Sequence, residues 1–348
     1  MFENTNKSTL QSIGEFGLIE HLKKHVTLYH ESSVMGIGDD GAVLNMGNHQ
    51  TIITTDMLTE GVHFDLRYVP LKHLGYKAVT VNLSDIYAMN GKPTHITVSL
   101  AVSSKYTLEA IEELYSGINL ACHNYQVDLI GGDTTSSISG LTICITAVGI
   151  AKPEEIVYRN GAKKGDLIFI SGNLGGAYAG LMLLEREKKL FLENPNIQPD
   201  LEGHDYVLEK QLKPEPRADI IRQMKELGIK PTSMIDISDG LASEILHICK
   251  ASGCGCRIDA EKIPIDQGTW SLAEELRMPA VSMALYGGEE YELLLTIRQE
   301  DYEKARMISD LHVIGYITDS PGDCYFIDSK NQLHPITASG WDHFTDND

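Results

Sequence analysis

Positive charge is what this sequence has least of. Lys and Arg together number 29 against 49 Asp and Glu, a formal net charge of −20. Nucleic acids are held mainly by clustered Lys and Arg on their phosphates, so the balance excludes a nucleic-acid partner. Long apolar runs are missing too. No stretch approaches the ~20 residues that span a bilayer, and the opening Met1-Phe-Glu-Asn-Thr-Asn-Lys7 lacks the pattern of a secretory signal. A cytoplasmic protein with no membrane partner is the expectation. Cysteine is sparse. Cys122, Cys144, Cys249, Cys254, Cys256 and Cys324 form neither a paired disulfide framework nor a C-x2-C…C-x2-C zinc pattern, and reduced thiols are expected. Cys254 and Cys256, where a helix gives way to a strand, read as packing residues. The common phosphate-binding and nucleophile motifs are also absent. Gly91-Lys92 runs into Pro93, the glycines of 172–180 break the G-x-G-x-x-G spacing, and no His-Arg-Asp, Asp-Phe-Gly or G-x-S-x-G occurs. P-loop, protein-kinase and serine-hydrolase mechanisms are thereby excluded.

What is present is organised in two parts. At 348 residues, two cores are a better expectation than one. Thr51 to Asp56 is β-branched and extended, and Leu71 to Asn90 has helical apolar spacing closed by Gly91 and Pro93. Thr94 to Val102 and Leu141 to Ile150 read as strands, and Thr107 caps a helix with Leu108, Ile111, Leu114, Ile118 and Ala121 on one face. Polar, glycine-bearing residues interrupt the pattern near 151–165. A second unit then opens with the strand Asp166 to Ser171, a glycine-rich turn and a helix through Leu184, and Glu185 to Gln211 reads as an exposed helical excursion. Strands and helices recur at Met234 to Lys250, Arg257 to Ile265 and Glu290 to Ile297. The fold class is α+β, with domains at 1–155 and 156–348.

Aspartates concentrate where glycine and hydroxyl residues adjoin apolar segments. They stand in Gly36-Ile-Gly-Asp39-Asp40-Gly41, Thr54-Thr55-Asp56, Asn82-Leu-Ser84-Asp85, Gly131-Gly132-Asp133 and Asp236-Ile-Ser238-Asp239-Gly240. One such segment is an ordinary turn. Their recurrence suggests carboxylates presented to a metal and a phosphate, which need uncrowded backbone around them. Asp85 is the strongest witness, because an ionised side chain inside an apolar helix is costly without a partner. Two unit charges ~4 Å apart repel by about 4 kcal/mol at an effective dielectric near 20. Bare carboxylates would therefore expel a phosphate substrate, and oxygen-rich clusters of this kind suit Mg²⁺ lying between.

These segments, with Gly61-Val-His63-Phe64, Lys77 to Met89, Ile235 to Leu241, Gly287-Gly-Glu289-Glu290-Tyr-Glu-Leu293 and Gly340-Trp341-Asp-His-Phe344, resemble thiamine-monophosphate kinases from Gly14 nearly to the C-terminus. The resemblance implies an N-terminal α/β domain whose strands join those of a second subunit in a dimeric β-barrel, a C-terminal α/β domain, and ATP in the cleft. It implies transfer of the γ-phosphoryl group of ATP to thiamine monophosphate with several Mg²⁺ ions. Matching motifs imply metal ligation by Asp40, Thr54, Thr55, Asp56, Asp85, Asp133, Asp236 and Asp239, with Asp56, Asp85 and Asp239 central to catalysis. They imply nucleotide contacts from Tyr115, Gly132, Asp133, Arg159 and Ser238, and thiamine contacts from His63, Glu289 and Trp341. Glu290 stands where those kinases more often carry Asp. Two alternatives stay open: another ATP-using enzyme of the aminoimidazole ribonucleotide synthetase-like superfamily, and a non-catalytic protein that binds nucleotide or divalent ions. Selenophosphate synthetase carries a reactive Cys near its N-terminus, whereas the first Cys here is Cys122.

Overall fold

Between Leu141 and Ala151 buried and partly exposed residues alternate almost without exception, which is the mark of a strand with one covered face. The covered side carries Ile143, Ile145 and Ala147; the other carries Thr142, Cys144 and Thr146. The computed structural model describes residues 29–337, with positions 17, 19, 20, 23, 24 and 26 before them. Its first half contains β1 (Ser33–Met35), β2 (Ala42–Asn45), β3 (Gln50–Thr59), α1 (Leu71–Ala88), β4 (Lys92–Ser103), α2 (Leu108–Tyr125), β5 (Asp128–Ser137) and β6 (Leu141–Ala151). The strands form one sheet in the order β1-β2-β3-β6-β4-β5, antiparallel except for the β4–β5 pair.

Both helices lie over the covered face. α1 is buried almost all round from Leu74 to Ala88, because the sheet, α2 and the second half of the chain enclose it. That explains its polar residues. Lys77, Thr80, Asn82 and Ser84 are inside the protein, where only specific partners make them tolerable. The two helices approach closely through glycine: a Cβ on Gly75 would sit 2.0 Å from the Leu114 carbonyl oxygen, and one on Gly117 would sit 1.9 Å from that of Lys72. Thr107 caps α2 as expected, its hydroxyl accepting from the Ala110 amide at 3.3 Å. Leu114, Ile118 and Ala121 are buried, but Leu108 at the first turn is exposed.

The chain leaves this sheet at Ala151 and enters a second at Leu167. There follow β7 (Leu167–Ser171), α3 (Gly176–Glu193), α4 (Asp205–Leu212), α5 (Ala218–Glu226), β8 (Ser233–Asp236), α6 (Leu241–Ser252), β9 (Gly255–Asp259), α7 (Gln267–Leu276), α8 (Ala280–Tyr286), β10 (Leu293–Ile297), α9 (Tyr302–Ala305), β11 (Leu311–Thr318), β12 (Cys324–Ile327) and β13 (Leu333–Pro335). The sheet order is β13-β12-β9-β11-β7-β10-β8. Mixed sheets with helices in two units make the molecule two-domain α+β. The 185–211 segment departs from expectation. α3 continues to Glu193, and α4 packs back on it with Val207 and Gln211 buried, the helices so close that a Cβ on Gly180 would meet the Val207 carbonyl at 2.1 Å.

Candidate active site

α1 delivers the centre of the site. It meets β3 and the end of β8, so residues within a single turn reach two different sheets. The Asn82 side chain accepts from the Asp56 amide at 3.0 Å and donates to the Ala78 carbonyl at 3.0 Å. Ser84 donates to Asp236 at 2.5 Å, and the Thr54 hydroxyl donates to Asp85. Asp40, on the loop between β1 and β2, completes a group in which carboxylate oxygens of Asp40, Asp85 and Asp236 lie within 4.8 Å of one another. Burial, followed by repulsion from Asp40, pushes Asp56 up to about 6 and Asp236 up to about 7. Asp85 is driven well above the usual carboxylate range by burial and then by Asp56 and Asp236. The cluster is therefore short of positive charge.

One cation is built in. Arg159 pairs with Asp40 at 2.7 Å, and its amide donates to Asp39 at 3.1 Å. Burial opposes the guanidinium charge, but Asp40 outweighs it and holds Arg159 protonated. It reaches only one edge: burial and Asp40 still raise Asp39 to about 7. The second oxygen of Asp40, Oδ2, is buried with no hydrogen-bond partner among the described residues. An unpartnered carboxylate oxygen, two neighbouring carboxylates and hard oxygen donors throughout fit a Mg²⁺ ion.

Two loops close the far side. Gly240 (φ 115°) turns the 237–240 segment, which takes hydrogen bonds from the 287–292 segment: Glu289 N–H to Ser238 at 2.7 Å and Tyr291 N–H to Ile237 at 2.9 Å. A Cβ on Gly288 would meet the Ser238 carbonyl at 2.4 Å, so glycine permits the clamp. The Asp239 amide donates to Glu244 at 3.1 Å. Burial and then Asp239 raise Glu244 well above its usual range. Glu289, held in the left-handed region (φ 63°), gives one oxygen to Lys77 at 2.9 Å and the other to Gln211 at 2.8 Å. Lys77 and Gln211 line a narrow cleft with His63, Phe64, Tyr68 and Leu74, and the His63 ring accepts from the Thr59 amide at 3.0 Å.

The structure thus gathers Asp40, Thr54, Asp56, Asp85 and Asp236 at one centre, with Arg159 at its edge. Ser238 and Asp239 are in the adjoining loop, and His63 and Glu289 are at the neighbouring cleft. Other residues stand elsewhere. Thr55 points to the opposite face of β3, where its hydroxyl bonds the Ile145 carbonyl at 3.0 Å, because side chains alternate along a strand. Gly132 and Asp133 lie in β5, three strand positions from β3, in a strand rather than a turn. A Cβ on Gly132 would sit 1.7 Å from the Val98 carbonyl, so this glycine serves strand contact. Thr54-Thr55-Asp56 is likewise strand and Asn82–Asp85 helix; only the 36–41 and 237–240 segments are loops. Tyr115 is half-buried on α2 against the first core. Trp341 lies outside the described residues.

Several residues that matter to the site were not singled out from sequence: Asp39, Lys77, Asn82, Ser84, Gln211 and Glu244. Polar residues interrupting the apolar α1 were the available signal for Lys77, Asn82 and Ser84. Gln211 had none, since its role depends on α4 folding back.

Comparison with known proteins agrees along most of the chain. Residues 38–151 match the N-terminal domain of AIR synthase related proteins, and residues 163–326 match their C-terminal domain. Thiamine-monophosphate kinase of Bacillus subtilis is 34% identical over 336 residues, covering 95% of this chain and 99% of the relative. That of Escherichia coli K12 is 35% identical over 343 residues, covering 95% and 98%. A solved structure of AaThiL complexed with AMPPCP and TMP superposes with a TM-score of 0.84 at 30% identity, covering 97% of this chain and all of that one.

Proposed function

This chain belongs to the thiamine-monophosphate kinase family of AIR synthase related proteins, and from that premise we propose that it transfers the γ-phosphoryl group of ATP to the phosphate of thiamine monophosphate. The observation that carries this reading is the placing of two chemistries on one helix. Lys77, at the cleft with His63 and Glu289, and Asp85, in the carboxylate cluster, are eight residues apart on α1. At 1.5 Å per residue that is about 12 Å, room for a small organic phosphate to bridge them.

In the reaction a phosphate oxygen of thiamine monophosphate attacks the γ-phosphorus. The bond to the β–γ bridging oxygen breaks, and its electron pair leaves with ADP. The attacking oxygen is already anionic near neutrality, the second phosphate pKa being about 6, so no general base is required. Asp40, Thr54, Asp56, Asp85, Asp236 and Asp239 would hold Mg²⁺, which when bound neutralises charge on the phosphates of both reactants. Arg159 and Ser238 are assigned to the nucleotide. His63, Glu289 and Trp341 are assigned to the thiamine end, with Lys77 and Gln211 fixing both oxygens of Glu289.

A homodimer is part of the proposal. β5 is a ten-residue edge strand, largely exposed, and the uncovered face of the first sheet presents Ile53, Thr55, Met57 and Ile150. Such an edge needs a partner or protection, and a second copy closing it into a barrel supplies one. Thr55, Tyr115, Gly132 and Asp133 keep their assignments on that basis. The division at 1–155 and 156–348 and a cytoplasmic site of action, where ATP is available, complete the reading; no described helix is long and apolar enough to cross a membrane. The test is a panel of acceptors with ATP and Mg²⁺. ADP and thiamine diphosphate should form together with thiamine monophosphate. ADP formed with a ribonucleotide or selenide, and none with thiamine monophosphate, overturns the assignment.

A further inference from the structure

Four cysteines that the linear spacing leaves unremarkable converge in the second domain. Cys249 lies in the last turn of α6, Cys254 and Cys256 straddle Gly255 at the start of β9, and Cys324 opens β12. The Sγ atoms of Cys249, Cys256 and Cys324 lie within 4.8 Å of one another, all buried. Cys254 stands next to this group: its amide donates to the Cys249 carbonyl at 3.0 Å, and its side chain is buried too. No disulfide links any of them. We propose that Cys249, Cys254, Cys256 and Cys324 form a tetrathiolate site for a thiophilic divalent metal, Zn²⁺ foremost, which staples α6, β9 and β12 together.

The backbone is shaped for this convergence. Gly253 (φ 65°) ends α6 in the left-handed conformation and reverses the chain, so Cys254 returns to Cys249. A Cβ on Gly255 would lie 2.3 Å from the Ser320 carbonyl and 2.6 Å from that of Asp323, so only glycine fits between the two thiols. Parallel pairing then sets Cys256 opposite Cys324. Three remote segments each contribute sulfur to one point, which apolar packing alone does not require. Tetrahedral coordination at about 2.3 Å from metal to sulfur places sulfurs about 3.8 Å apart, a small contraction for Cys249, Cys256 and Cys324, with Cys254 turning in from the adjoining position to complete the set. Soft thiolates select Zn²⁺ over the hard Mg²⁺ favoured by the carboxylate cluster. On binding, each thiol releases its proton to solvent and donates a sulfur lone pair, so the divalent ion in four thiolates carries a net charge of −2. Arg257 lies alongside, donating to the Cys256 carbonyl at 2.8 Å and to the Asp323 carbonyl at 2.7 Å, and it offsets part of that charge. Four strand positions separate β9 from β8 in the sheet, so the site is structural: it anchors the far end of the helix that starts at the Asp236–Asp239 loop.

The test uses the full chain, purified without chelator, and measures bound metal by elemental analysis and free thiols by titration. About one equivalent of zinc per chain is expected, with four of the six cysteines unreactive until the metal is stripped. Exchange with Co²⁺ should give sulfur-to-cobalt charge-transfer absorption, which oxygen ligands in the carboxylate cluster cannot produce. Cys256→Ser and Cys324→Ser should abolish that absorption. If those variants fail to fold, the wild-type protein still decides the matter, because unfolding temperature should rise with added Zn²⁺ and fall on chelation. A metal-free protein with six titratable thiols and no cobalt charge-transfer band overturns the proposal. A disulfide among the four, or an iron–sulfide cluster, overturns it equally.

Discussion

Two single-residue changes within the same cluster should act on stability with opposite sign. Asp85→Asn keeps the size and removes one of several mutually repelling charges. Turnover should fall ~10²-fold or more, as when electrostatic stabilisation worth ~2.7–4 kcal/mol is lost. Unfolding temperature without ligands should hold or rise. Arg159→Met removes the cation that pairs with buried Asp40 among the described residues, so ligand-free stability should drop, by at most about 3–5 kcal/mol. Steady-state kinetics and thermal unfolding of both variants check the pair; near-normal turnover of Asp85→Asn at limiting Mg²⁺ means the carboxylate only shapes its helix. At this scale most of the centre was legible, because an Asp inside an apolar helix or beside glycine is a conspicuous expense. The partners were not. That Glu289 is held by Lys77 and Gln211 depends on α4 returning to α1, a tertiary event with no local signature. The convergence of the cysteines was hidden for the same reason: Cys324 is close to Cys256 only through the register of two strands.

At the scale of elements, the alternation of β6 and the spacing of α1 could be read directly, since each has a period that matches its geometry. Segments rich in glycine misled. Gly131-Gly132-Asp133 has the composition of a turn yet is strand, where its glycine answers a close backbone approach, whereas Thr54-Thr55-Asp56 is the extended segment that its β-branched residues indicate. The crossing of α1 and α2 gives an element-level prediction. Gly75→Ala places a Cβ 2.0 Å from the Leu114 carbonyl, backbone against backbone, so the helices must separate and displace α1, the helix that carries Lys77 and Asp85. A loss of about 1–3 kcal/mol is expected, seen as a lower denaturation midpoint, and turnover should fall because α1 shifts. Gly47→Ala, in an exposed turn where a Cβ meets nothing within 4 Å, should leave turnover unchanged despite its φ of 104°. Equal turnover losses in both variants would mean that the close approach is not what positions the site.

Taken as a whole, the molecule carries an acidic surplus, and its ligand-free form should show this in the pH dependence of its stability. Asp39, Asp56 and Asp236 rise to about 7, 6 and 7 when folded, above the ordinary value of 3.8. The folded state therefore holds more protons than the unfolded state between about pH 4 and 7. Stability contributed by that difference is greatest at low pH and is lost as pH rises through the folded values. His247 works the other way. Burial, then Arg159, lowers it to about 4, so its contribution grows as pH rises from there to its ordinary 6.5 and is constant above. Between about pH 6.5 and 7.5 His247 no longer adds a slope, and the unfolding temperature in the presence of a chelator should decline across that window as the carboxylates ionise. Mg²⁺ competes with protons for the same oxygens, so added Mg²⁺ should stabilise more at pH 7.5 than at pH 6 and should flatten or reverse the decline. Scanning calorimetry at intervals from pH 5.5 to 8, with chelator and with Mg²⁺, measures both curves. A chelated protein that gains stability from pH 6.5 to 7.5, or Mg²⁺ stabilisation independent of pH, would show that the buried carboxylates are not the group on which the cation acts.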